Sequence, residues 1–89
     1  MLTLEECIKM SDLSPPEVAA IAEHEHVDLI IAAEMGAHLL RSPEGEKRIA
    51  CMIAADLKRA RRRGDRVHAD HLGQVLESFV HDHGDVEYE

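Results

Sequence analysis

The segment Ser42-Pro43-Glu44-Gly45-Glu46-Lys47-Arg48-Ile49-Ala50-Cys51-Met52-Ile53-Ala54-Ala55-Asp56-Leu57-Lys58-Arg59-Ala60-Arg61-Arg62-Arg63-Gly64 carries the signals for both ends of one helix. Ser42 is an N-cap residue, and Pro43 sits at the first helical position, where a missing N–H costs nothing. Gly64 is the residue that closes a helix in the left-handed conformation, and the Lys58–Arg63 run suits the negative end of the helix dipole. Between the caps, Ile49, Met52, Ile53, Asp56 and Ala60 fall on one side of the wheel. The spacing therefore predicts a helix from Pro43 to Arg63 with one apolar face. A carboxylate, Asp56, lies in the middle of that face.

The same signals recur on both sides. Thr3-Leu4-Glu5-Glu6 is a capping box that opens a short helix through about Met10, with Leu4, Cys7 and Ile8 free to pack. Ser14-Pro15-Pro16-Glu17 repeats the box, and a second helix is expected from Pro15 to about Glu23 with Val18, Ile21 and Ala22 inward. The polar run Glu23-His24-Glu25-His26 then predicts a turn, after which Asp28 sits at the positive end of a third helix of about 28–41. That helix is apolar on two sides, one lined by Leu29, Ala33, Gly36 and Leu40, the other by Ile31, Met35 and Leu39. Two apolar sides predict a central helix, with Gly36 admitting a close neighbour. Asp65 caps a fifth helix carrying Val67, Leu72, Val75, Leu76, Phe79 and Val80, which ends at Gly84. No strand-like alternation occurs. The reading is all-α: a single domain of four to five short helices over residues 1–84, with 85–89 a flexible acidic tail.

Composition narrows the classes further. Apolar residues make up 45% of the 89, a globular fraction that excludes wholesale disorder, while the absence of Trp demands an aliphatic, Ala-rich core. No stretch approaches the roughly 18 apolar residues of a membrane span, and the N-terminus carries acid where a signal peptide needs base. Cys7 and Cys51 are too few and too separated for a disulfide scaffold, and are read as reduced thiols of a cytoplasmic protein. Charge is unevenly placed. Residues 1–40 hold eight acids and one base, 41–66 nine bases and four acids, and 67–89 six acids with no Lys or Arg. The acidic and basic segments are expected to neutralise one another within the fold or across an oligomer.

Chemistry-bearing residues are sparse. Glu23 and His26 form an E-x-x-H spacing that resembles half of a ferritin-like di-iron motif, a likeness confined to four residues. Glu34 and His38, one helical turn apart, would join them as candidate ligands of a divalent metal; the plainer reading is a polar i,i+4 contact. Asp56 on a buried face must be paired, hydrogen-bonded, metal-bound or protonated, and His68, set among Leu72, Val75 and Phe79 with His71 a turn on, is its expected partner, within the chain or across a dimer. The second and third helices have helix-turn-helix proportions, and Lys58–Arg63 could follow a phosphate backbone. Yet the would-be recognition helix has no Arg, Lys, Asn or Gln to read base edges, and the net charge of −8 opposes general nucleic-acid affinity. No phosphate-binding glycine loop, CxxC, HExxH or serine elbow is present.

Leu13 through Ile49, above all Ile21-Ala22-Glu23-His24-Glu25-His26 and Ser42-Pro43-Glu44-Gly45, resembles a group of small bacterial all-helical proteins. The resemblance implies a bacterial, cytoplasmic setting and brings no activity with it. The expectation from sequence is a non-enzymatic module acting by association, as a homodimer or larger homo-oligomer. Its alternatives are a metal-binding protein using the Glu/His pairs and a helix-turn-helix-like nucleic-acid binder. A chain this short must gain buried surface by associating, and short neighbours cannot cover both sides of the third helix.

Overall fold

A computed structural model describes residues 2–88, and its elements follow the caps. The helices are α1 (Leu4–Met10), α2 (Pro15–Glu25), α3 (Leu29–Leu39), α4 (Pro43–Arg63) and α5 (Arg66–Asp82), with no strand among the described residues. Both capping boxes form: Thr3 with Glu6, and Ser14 with Glu17. The backbone and side-chain hydrogen bonds from Thr3 hold the Glu6 carboxyl below its ordinary value of 4.5. Ser42 accepts from the Gly45 N–H and Asp65 from the His68 N–H, so four of the five helices begin on a side-chain cap. Asp28 occupies the N-cap of α3 without making such a bond.

Val18, Ile21, Ile49, Ile53, Leu72 and Phe79 form the centre of the core, contributed by α2, α4 and α5. α4 and α5 pack as a hairpin across the left-handed Gly64, α2 lies against both, and α3 packs on α1, α2 and α4. The molecule measures 41 × 25 × 17 Å, so in its thinnest direction it is two helix layers deep. Such a slab leaves every helix with one side near solvent.

That thinness corrects the expectation for the third helix. α3 does not bury two large apolar sides; it buries its small residues, Ala32, Ala33 and Gly36, and leaves Leu29, Ile30 and Ile31 at 40%, 41% and 47% exposure. Gly36 does admit close neighbours, since a Cβ there would collide with the Leu13 side chain and lie 3.1 Å from Ile21 Cδ1. At the next corner, a Cβ on Gly45 would fall on the Leu39 carbonyl and 2.8 Å from Leu39 Cα.

Two further expectations shift. α2 continues through Glu25, and the turn comes at His26, whose φ of 57° is left-handed. The polar run stays helical because α2 ends between α4 and α5, where its side chains find polar partners. Val67, expected in the core, is 84% exposed, because the first turn of α5 directs His68 to Glu23 and buries Ala69, which leaves Val67 on the outward side. Past α5, the Asp85 N–H bonds the Val80 carbonyl at 2.8 Å and Val86 packs half-buried against the core.

Candidate functional site

The polar centre of the molecule is built from the last turn of α2. Residues 23 and 24 are about 100° apart on the helix, so adjacent side chains reach two different neighbours. His24 turns to α4, where its Nδ1 lies 3.2 Å from Asp56 Oδ2. Glu23 turns to α5, where both its oxygens approach His68 Nε2, at 2.8 and 2.9 Å. Asp56 is buried, as its place on the wheel requires, and its second oxygen accepts from an Arg59 guanidinium N–H at 3.0 Å. The His68 ring lies near-parallel to His71 with centroids 6.2 Å apart.

The expected Asp56–His68 pair is thus replaced by two pairs, Asp56–His24 and Glu23–His68. The physical reason is the placement of α2: its C-terminal turn stands between the two helices and supplies each with a complementary side chain. The sequence reading missed His24 and Arg59 as partners of Asp56. Arg59 stands three residues beyond Asp56 on the same helix, a spacing that brings side chains into contact, and was the findable one.

Of the four candidate metal ligands, Glu23 is engaged with His68, His26 is exposed at the left-handed end of α2, and Glu34 and His38 are exposed on α3. Among the described residues no three His, Cys, Asp or Glu side chains converge to hold a metal ion. Nor does any buried side-chain nitrogen or oxygen among them lack a hydrogen-bond partner. A polar cluster whose buried atoms all have partners suits a role in joining helices.

Two adjoining hollows lie along the outer side of α4. One, of about 300 Å³, is lined by Cys51, Ala54 and Ala55, by Lys58, Arg59 and Arg62, and by Tyr88 from beyond α5. The other, of about 260 Å³, shares Cys51 and Ala55 and is bounded by Arg48 and, from α2, by His24 and Glu25. Together they make a shallow groove along Cys51, Ala54 and Ala55, with Met52 and Tyr88 beside it and a wall that is cationic except at Glu25. Both cysteines are free and half-buried. A wider polar depression of about 810 Å³ between α4 and α5 is lined by Arg61, Asp70, Gln74, Glu77, His81 and Tyr88.

The ion pairs within 4.0 Å do not cancel the segregated charge. Arg59 meets Asp56, Arg63 meets Asp65 and Lys9 meets Glu5. Among the described residues Arg48, Lys58 and Arg62 meet no carboxylate, and Asp28 and Glu34 meet no base. Neither does any helix among them have the length and apolarity to cross a membrane. No protein-family model matches the chain, and comparison with curated proteins and with solved structures returns no match.

Proposed function

We propose that the protein acts by association, as a homo-oligomeric binding or accessory module of the cytoplasm with no catalytic turnover of its own. The observation that carries this reading is the exposed turn Leu29-Ile30-Ile31. Single exposed apolar residues are ordinary on protein surfaces, but three large aliphatic residues exposed around one helix turn concentrate apolar surface of the kind that marks an interaction site. The slab shape supports it: a layer two helices thick buries little surface alone and gains by covering a face. The satisfied His24–Asp56 and Glu23–His68 pairs favour a structural role for the polar centre over a chemical one.

Light scattering and sedimentation of the full chain over a range of concentrations test the reading, with a mass of at least two chains expected. A clean monomer at high micromolar concentration overturns it. Duplex DNA is the competing partner, and no salt-sensitive gel shift is expected at physiological ionic strength. A shift that weakens steeply with salt and is lost on Arg61→Gln and Arg62→Gln would replace association with nucleic-acid binding.

A further inference from the structure

We infer that the surface of self-association is a reciprocal knob and groove, the Leu29-Ile30-Ile31 turn of one copy seated on the Cys51-Ala54-Ala55 floor of the other. The inference rests on the association reading above and says which surfaces meet.

Three observations converge on a second copy as the occupant. The first is shape. The knob is the first turn of α3, whose large aliphatic side chains are exposed at 40–47% around the helix, and the groove runs along the small residues Cys51, Ala54 and Ala55 beside Met52 and Tyr88. Large residues entering between small ones is how helices approach closely. The second is charge. Asp28 precedes the knob at the N-cap of α3, and Glu34 lies three and four residues beyond Ile31 and Ile30, on their side of the helix. Arg48, Lys58 and Arg62 stand on the groove walls. Among the described residues none of these five has an opposite charge within 4.0 Å in its own chain. The acidic and basic halves of the sequence therefore remain uncancelled at the two places where a copy would bring them together. The third is adjacency. Glu25 bounds the groove, and Asp28, the N-cap of α3, is three residues further on. Three residues span at most about 10 Å, so the knob begins beside the groove. A two-fold axis that seats one knob in its groove seats the other pair as well, a closed, self-complementary contact.

Other acidic occupants, such as an unrelated acidic helix, would satisfy the groove but leave this chain's own apolar turn uncovered. A second copy covers both at once.

The test is a charge exchange at four exposed positions. One variant reverses the groove (Lys58→Glu with Arg62→Glu) and the other reverses the knob (Asp28→Lys with Glu34→Lys). Asp28 makes no capping hydrogen bond that its replacement would remove, and circular dichroism confirms that each variant folds. Each alone is expected to weaken the dimer at least ~10-fold, because like charges meet twice across the axis. Mixing the two variants is expected to restore a dimer, seen by native mass spectrometry as the heterodimer, since each reversed surface then meets its complement. A wild-type chain that is monomeric overturns this proposal and the association reading together. A wild-type dimer whose mass is unchanged by either reversal overturns the proposal alone, placing the contact on another face. Variants that weaken the dimer but do not rescue one another also overturn it, as do open-ended assemblies, which a closed two-fold contact forbids.

Discussion

Removing the Asp56 carboxylate isolates the contribution of the polar centre. In Asp56→Ala, the His24 Nδ1–H, on a side chain 22% exposed, loses its acceptor and regains water only in part. A hydrogen bond to a charged group at such a site contributes about 1.5 kcal/mol. Arg59 is 56% exposed and returns to solvent, so its ion pair is worth about 0.5 kcal/mol. Alanine gives back about 0.5 kcal/mol of helix propensity. The expected loss is about 1.5 kcal/mol, or roughly 9 °C in the melting temperature of a domain this size. Urea melts at one fixed protein concentration measure it, so that self-association does not enter the comparison. The more discriminating measurement is a pair of double-mutant cycles. Asp56→Ala with His24→Ala should couple by about 1 kcal/mol, whereas Asp56→Ala with His68→Ala should be additive within about 0.5 kcal/mol. Coupling to His68 in place of His24, or an Asp56→Ala protein as stable as the parent, would refute the pairing and the reasoning built on it.

Glycine substitutions should split by position. Gly45→Ala should cost about 2 kcal/mol because its Cβ meets the backbone of Leu39, while Gly73→Ala, with nothing within 4 Å, should gain about 0.5–1 kcal/mol in urea melts. Acid should loosen the start of α1. The lowered Glu6 value means its capping contribution is complete above 4.5 and lost as pH falls through the folded value, and hydrogen exchange of the α1 amides should accelerate over that window. Chelator is expected to leave the melting temperature unchanged, and elemental analysis of untagged protein to find less than one metal per dimer. A large drop on chelation would make Glu23, His26, Glu34 and His38 ligands across chains.

What the residues disclosed in advance divides by the range of the physics involved. Thr3, Ser14, Ser42, Asp65 and Gly64 act within one turn of the chain, and the bounds they imply for α1, α4 and the starts of α2 and α5 hold in the structure. The burial of Asp56 was legible too, because a helical wheel fixes which residues share a face. Its partner was not. His24 and His68 are equally good acceptors or donors on paper, and only the position of the α2 terminus between α4 and α5 selects between them. The same is true of α3: its pattern showed two apolar sides, but not that neighbours would approach through Ala32, Ala33 and Gly36 and leave the large residues outside. The groove on α4 had no sequence signal of its own, since Cys51, Ala54 and Ala55 carry neither charge nor bulk that would mark a surface hollow.

α1 has no buried residue. Cys7 and Ile8 rest half-buried on the core, and the link to α2 turns through left-handed Asp12 beside the buried Ser11 and Leu13. Its local unfolding therefore exposes little apolar surface, and it is the excursion of lowest free energy available to the fold. Protease nicking and amide exchange should both begin there, well below the cost of opening the α4–α5 hairpin. Synthesis inverts that order. α1 is synthesised before α3, the surface on which it packs, and the α4–α5 hairpin that completes the core is made later still. Until α3 is in place, α1 is a capped but undocked segment, held by local bonds such as the reciprocal pair of Thr3 and Glu6.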